Sequence, residues 1–238
     1  IIGFSVYDRQ SGEFVYRPGA VTNANLLLGD EINRTSSKTQ SALLEAMEER
    51  QITVDGHTYP LPKPFIVIAT QNNVGTAGTQ LLPYAQMDRF LVRLSVGYPD
   101  RDAQIAMLRA RQDENPLDRV HPVASREDVL AMQTAVRAES VSDAILDYIT
   151  RLTMASREHP MLEVGVSPRG ALCLCRMAKA RAYLLGRDYV VGEDVQDVWQ
   201  DVCAHRVAAT PKARLSGVTG ADILRGVLSS VESPDQRL

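Results

Sequence analysis

Two short stretches of this chain place polar side chains immediately after an apolar run. Leu26-Leu27-Leu28-Gly29 leads into Asp30 and Glu31, and Ile66-Val67-Ile68-Ala69 leads into Thr70-Gln71-Asn72. Continuous apolar runs of this length read as strands of a parallel sheet covered on both faces. In open α/β sheets, ligands lie beyond the carboxyl ends of the strands. At such a position Asp30 could hold Mg²⁺, Glu31 could orient and deprotonate an attacking water, and Asn72 could position that water or a phosphate oxygen. Each fragment also has a plainer reading, a polar strand end followed by a solvated turn. Two arginines add to the set. In Gln86-Met87-Asp88-Arg89-Phe90, Arg89 either pairs within the chain, with Asp88 or the sheet edge, or projects to a neighbouring subunit to stabilise transition-state charge. In Ser167-Pro168-Arg169, a cap and a first-turn proline open a helix. Arg169 there is either a surface residue or a reinforcement of an anion site at the helix N-terminus.

Other chemistries find little support. The four histidines (His57, His121, His159, His205) are scattered without metal-ligand spacing. Cys173 and Cys175 sit two apart on a predicted helix and point to different faces, Cys175 on the apolar stripe. With Cys203 they read as reduced thiols of a cytoplasmic protein. Neither a Ser-His-Asp nor a Cys-His arrangement stands out, and Trp199 reads as a packing residue. Of 238 residues, 45% are hydrophobic and 23% charged, which is ordinary globular composition. The net charge of −3 lacks the basic surplus usual for proteins that live on phosphate backbones. No run approaches the ~18 apolar residues of a membrane span, and no signal peptide is visible.

The elements that must position these residues follow from patterning. Residues 4–18 read as a hairpin, as do 51–61 with Asp55-Gly56 at the tip. A helix is expected between about Ser37 and Arg50, a third strand over Phe90–Val96 and a helix over Asp100–Gln112. The stretch from Gln112 to Pro122 is the best linker candidate. This divides the chain into an α/β part at 1–111, a linker at 112–123 and a helical part at 124–238 with no convincing strand. The helical part has a capping box at Ser125/Asp128 and a helix marked by Ile145, Ile149 and Leu152. A third helix opens at Ser167-Pro168 and stops at Gly186, with Ala171, Cys175, Ala178, Ala182 and Leu185 on one face. Two more are expected near Glu193–Val207 and Gly220–Ser229.

The order of these pieces closely resembles the MoxR family of AAA+ ATPases. The resemblance rests on Leu26-Leu27-Leu28-Gly29-Asp30-Glu31-Ile32-Asn33-Arg34 and Lys38 to Arg50, and on Gln51-Ile52-Thr53-Val54-Asp55-Gly56 and Ile68-Ala69-Thr70-Gln71-Asn72. Met87-Asp88-Arg89-Phe90, Ser156-Arg157-Glu158-His159-Pro160 and Val166-Ser167-Pro168-Arg169 complete it. It covers nearly the whole chain. It implies an α/β fold: part of an AAA+ parallel-sheet core carrying a helix-2 insert and a pre-sensor-1 hairpin, then an all-α lid. By the same resemblance Asp30 and Glu31 match Walker B, Asn72 sensor 1, Arg89 the arginine finger and Arg169 sensor 2. The implied cofactors are ATP and Mg²⁺, with Mg²⁺ held by Asp30 through water. The implied assembly is a homo-oligomeric ring, commonly a hexamer, remodelling protein complexes with a von Willebrand factor A domain partner. Three features depart from the family pattern: Asn73 in place of proline, the non-acidic loop Val74-Gly75-Thr76-Ala77-Gly78, and Tyr84 where glutamate is usual.

No Gly-Lys-Ser or Gly-Lys-Thr occurs, and Ser36-Ser37-Lys38-Thr39 lacks the glycines that let backbone N–H groups wrap phosphates. In the family that loop lies upstream of residue 1, so this segment alone is expected to bind ATP poorly. The same clade includes DNA helicases, and a DNA-tracking hairpin should present Lys or Arg. The tip Val54-Asp55-Gly56-His57 does not, and Arg9 stands against Asp8 and Glu13, which favours a protein client over nucleic acid. A non-hydrolysing scaffold is the remaining alternative, and the intact Asp30, Glu31 and Arg89 count against it.

Overall fold

The computed structural model describes residues 1–71, 82–112 and 115–234. Its N-terminal part begins with a hairpin of β1 (Gly3–Asp8) and β2 (Glu13–Pro18). The parallel pair β3 (Leu26–Gly29) and β6 (Ile66–Ala69) encloses helix α1 (Ser37–Glu49) and a second hairpin, β4 (Gln51–Val54) with β5 (His57–Pro60). Both residues at its tip, Asp55 (φ 51°) and Gly56 (φ 79°), have the positive φ that a tight Asp-Gly hairpin turn demands. Ser36 caps α1 by accepting from the Thr39 N–H (3.3 Å), so the Ser-Ser-Lys-Thr stretch serves as a helix start. The inner side of this part closes on Val21, Ala46, Ile52, Val54, Leu61 and Phe65, with Leu27 and Val67 of the parallel pair packed against them.

The parallel pair departs from expectation on its other face. Leu26, Leu28, Ile66 and Ile68 are exposed, Leu28 at 66%, because no described element packs over them. The strand expected over Phe90–Val96 also does not form. After the short helix α2 (Tyr84–Met87) the chain turns at residues 88–91 and runs without regular structure to α3 (Arg101–Ala110). The start of the segment is held by the helical part instead: the Arg93 N–H donates to Asp201 O (2.9 Å), and Val92 packs against the helical core. Beyond it Leu94 and Val96 are exposed, with no described strand paired to them.

The helical part holds α4 (Arg126–Ala138), α5 (Asp143–Glu158), α6 (Pro168–Leu184), α7 (Gly192–Cys203), α8 (Pro211–Leu215) and α9 (Gly220–Ser230). The capping box expected at Ser125 and Asp128 is present, and helix α8 was not anticipated. Ser125 and Asp128 exchange reciprocal bonds of 2.8 and 3.1 Å, and Thr219 and Asp222 do the same at 2.9 and 3.2 Å. Two very short strands, β7 (Leu162–Val164) and β8 (Ala208–Ala209), pair antiparallel where no strand was expected. At two to three residues they carry too little pattern to read. Helix α7 stops at Cys203 rather than continuing to Val207. The buried face of α6 runs through Gly170, Cys173, Leu174, Ala178 and Ala182, so Cys173 points inward while Cys175 is only partly covered and Leu185 is exposed. Burial pushes the Cys203 thiol pKa up, which keeps it a thiol. Trp199 is fully buried and its indole N–H donates to Leu224 O (3.0 Å).

One buried charge organises this body. Asp194, 0% exposed, accepts from Arg187 (2.6 and 2.8 Å), Arg181 (3.2 Å) and the Val191 N–H (2.9 Å). Burial alone would raise its carboxyl pKa, but these donors outweigh it and hold the pKa below the usual value. Asp194→Asn should leave Arg187 without its counter-charge, while Arg181 keeps Asp197, and lower stability by about 2–3 kcal/mol. Chemical denaturation of the variant beside the parent measures this.

Candidate functional site

The strand-end acids sit in a turn built by Thr70. Its N–H donates to Gly29 O (2.9 Å), its carbonyl accepts from the Ile32 N–H (3.1 Å), and its hydroxyl accepts from the Glu31 N–H (2.9 Å) and donates to Asp30 Oδ1. Glu31 is thereby held in the left-handed region at φ 46°, ψ 50°. A non-glycine residue stays there at a cost of about 1–3 kcal/mol and only where its surroundings over-determine it. Arg34 Nε reaches Glu31 Oε2 at 3.0 Å. Sequence reasoning noted Thr70 only as a hydrogen-bonding side chain. The signal was present, because in a parallel pair with Gly29 opposite Ala69 the next residues, Asp30 and Thr70, must emerge side by side.

Mg²⁺ takes hard oxygen ligands and is commonly bound by one or two carboxylates beside waters and substrate phosphates. Asp30, an exposed carboxylate at the end of a parallel strand, suits that role. Among the described residues no group of three or more His, Cys, Asp or Glu gathers into a protein-only cage. Asn72 lies outside the described residues, as do Asn73 and the loop at 74–78. Tyr84 opens α2 at an exposed position.

The two arginines meet on a residue that sequence reasoning missed. Glu48, in the last turn of α1, takes Arg89 Nε on Oε2 (3.2 Å) and Arg169 Nη2 on Oε1. Arg89 therefore does not pair with its neighbour Asp88. The Asp88 carboxylate instead receives the Ser167 hydroxyl, 3.0 and 2.9 Å from its two oxygens, and Arg206 Nε at 2.9 Å. Arg206, with its side chain fully buried, also donates to the carbonyls of Asp88 (3.1 Å), Phe90 (2.6 Å) and Leu91 (3.2 Å). A single guanidinium thus grips the backbone on both sides of Arg89. Ser167, two residues before Arg169, accepts from the Gly170 N–H (3.0 Å) as the cap of α6. Asp88 consequently ties the roots of both arginines together. Nothing in local sequence pattern signals Glu48, which lies 41 residues from Arg89 and 121 from Arg169.

Comparisons with known proteins agree with this architecture. The family model described as "ATPase family associated with various cellular activities (AAA)" matches residues 1–92, and the AAA lid domain model matches 154–227. A Bacillus subtilis protein named YeaC, whose role is uncharacterized, is 44% identical over all of this chain and 74% of its own length. Chaperone MoxR1 of Mycobacterium tuberculosis is 37% identical over 98% of this chain and 64% of its own length. Protein MoxR of Methylorubrum extorquens is 30% identical over 97% and 74%. The chain belongs to the MoxR family of AAA+ ATPases. The crystal structure of a candidate ATPase from Cytophaga hutchinsonii is similar at a TM-score of 0.87 and 35% identity, over 98% of this chain and 73% of that one. The MoxR-family chain therefore spans about two thirds to three quarters of these relatives. No described helix is long and apolar enough to cross a membrane.

His205 completes the Asp88 brace. It is 2% exposed, Arg206 Nη1 stands 2.8 Å from its Nε2, and its Nδ1 has no partner among the described residues. Burial first, and the Arg206 charge second, push its pKa down to about 4. The unfolded chain takes up a proton near pH 6.5 that the folded chain refuses until about pH 4. Stability is therefore full above pH 6.5 and is lost as pH falls toward 4. The expected loss between pH 7 and pH 4.5 is on the order of 2 kcal/mol. Denaturation midpoints across that range measure it, and His205→Gln should flatten the slope. A slope unchanged in that variant assigns the titration to another group.

Proposed function

We propose that this MoxR-family chain forms the acid-and-arginine half of a Mg²⁺-dependent ATPase that works as a ring, commonly hexameric, in the cytoplasm. Hydrolysis there drives the remodelling of protein complexes together with a von Willebrand factor A domain partner. The observation that carries the reading is the turn after β3, where Thr70 holds Asp30 and a left-handed Glu31 side by side at the C-terminal end of a parallel strand. When bound at Asp30, Mg²⁺ would neutralise phosphate charge. Glu31 orients a water and takes its proton as the water oxygen attacks the γ-phosphorus, and the bond to the β-phosphate oxygen breaks. Asn72 positions that water. Arg169 contacts the γ-phosphate, and Arg89 meets charge in the transition state at a neighbouring subunit's nucleotide.

The hairpin surfaces favour a protein client over nucleic acid. The β4–β5 tip exposes Asp55 and His57, and the β1–β2 hairpin exposes Phe4, Tyr7 and Phe14, the last at 74%. Strand-tracking loops instead need cations against phosphate.

The decisive experiment is steady-state ATP turnover by the full-length protein. Glu31→Gln should retain ATP binding and lose turnover by about 10²- to 10⁴-fold, the worth of a positioned base. Unchanged turnover removes Glu31 from the reaction. A second expectation concerns subunit sharing. Arg89→Ala subunits, severely slowed alone, should regain part of the turnover when mixed with the equally slowed Glu31→Gln subunits, because some mixed interfaces then hold both intact groups. Mixtures that stay as inactive as either variant assign Arg89 to its own subunit's site.

A further inference from the structure

Glu48 and Arg169 both stand at the wrong end of their helices. Helix C-termini carry partial negative charge and N-termini partial positive charge. Glu48 lies in the last turn of α1, which holds no basic residue, and Arg169 in the first turn of α6, which holds no acidic one. Each charge is therefore unfavourable within its own helix and is compensated from the other helix. Arg89 brings a second cation to the same carboxylate, on the oxygen that Arg169 leaves.

We propose that Glu48 is a positioning residue of the ATPase site. Its shared carboxylate fixes the guanidinium groups of Arg89 and Arg169 relative to each other, and so sets the side-chain tip that each brings to the phosphate it meets. The inference rests on the ATPase reading above. Two guanidinium groups brought this close repel each other, and one carboxylate between them removes that repulsion without consuming their outward donors, since each guanidinium carries five N–H groups. The roots of both arginines are already fixed: Arg206 grips the carbonyls around Arg89, and Ser167 ties the start of α6 to Asp88. What remains free is the set of side-chain tips, and Glu48 is the group that sets them. The three side chains are 32–40% exposed. Ion pairs this open to solvent contribute little to stability, so a role in the fold alone does not account for two charges placed against their helix dipoles.

The test uses ATP turnover by the full-length protein with Glu48→Gln, which keeps the shape and removes the charge. The expected result is a kcat lower by about ten- to a hundredfold, the usual cost of misplacing a reacting group by about an ångström. KM for ATP should change by less than about threefold, and the melting temperature should stay at the parent value. Glu48→Asp keeps the charge but is one methylene shorter, and should restore part of the rate. Single-turnover rates in an Arg89→Ala/Arg169→Ala background supply the readout that a structural role would not move: there Glu48→Gln should have no further effect. A parent-like kcat in Glu48→Gln, an equal loss in the arginine-free background, or a rate loss that follows a fall in melting temperature overturns the proposal. If the parent turns over ATP and Glu31→Gln does not, such a result defeats Glu48 alone. A parent with no turnover defeats the ATPase reading and this inference together.

Discussion

The interaction on which the rest depends is the buried Arg206 guanidinium and its hold on the segment around Asp88. A charge taken fully out of water is costly unless it is paired and its N–H groups are satisfied. Arg206 meets that demand with one carboxylate and several backbone carbonyls, most of them contributed by residues 88–91. The α/β part and the helical part are consequently joined by an interaction that neither can replace internally. Because those carbonyls flank Arg89, the position of that arginine is decided from the helical side. The same carboxylate receives Ser167, so the start of α6 is referred to the same point. A shift of the helical body relative to the α/β part would have to move Arg89 and Arg169 together or break a buried pair. Breaking it would strand the guanidinium, the more expensive outcome.

Charge placement gives the same picture from a different direction. Some helix ends follow the dipole, as where Asp128 and Asp222 stand in first turns and each closes a capping box, and others do not, as where Lys38 stands in the first turn of α1 and Lys212 in that of α8. Glu48 and Arg169 also stand against the dipole, and they do so at two helix ends that meet each other across the junction of the two parts. Local rules fail together where one long-range interaction replaces two local ones, and such agreement between failures is what separates a site from an accident of surface charge.

The fold was legible wherever a signal is local. Caps at Ser125 and Ser167, the Asp-Gly hairpin tip and the two parallel strands are all determined within a few residues of themselves. The acids and both arginines could be picked out because their types and neighbours carry chemistry. What could not be read depends on separation. Nothing within ten residues of Phe90 says that Arg206 will take its carbonyl, so an apolar stretch that reads as a strand becomes a docked connector. Helix α7 was extended too far for the same reason: His205 and Arg206 leave the helix to reach that connector. Glu48 was passed over because a glutamate among Glu45 and Glu49 on a charged helix looks like solvated surface until its partners are known.

The strand-end turn carries a different constraint. Glu31 sits in a backbone region that few side chains tolerate, and the bonds from Thr70 keep it there. Asparagine adopts this conformation more readily than glutamate. A chain shaped for stability alone would favour asparagine or glycine at this position. On the proposed ATPase reading, the carboxylate is kept against backbone preference because the residue the chemistry uses and the residue that best fits the turn are different. The second acid is the one that costs the fold something, and it is the one to which the proposed ATPase reading gives the proton transfer from water.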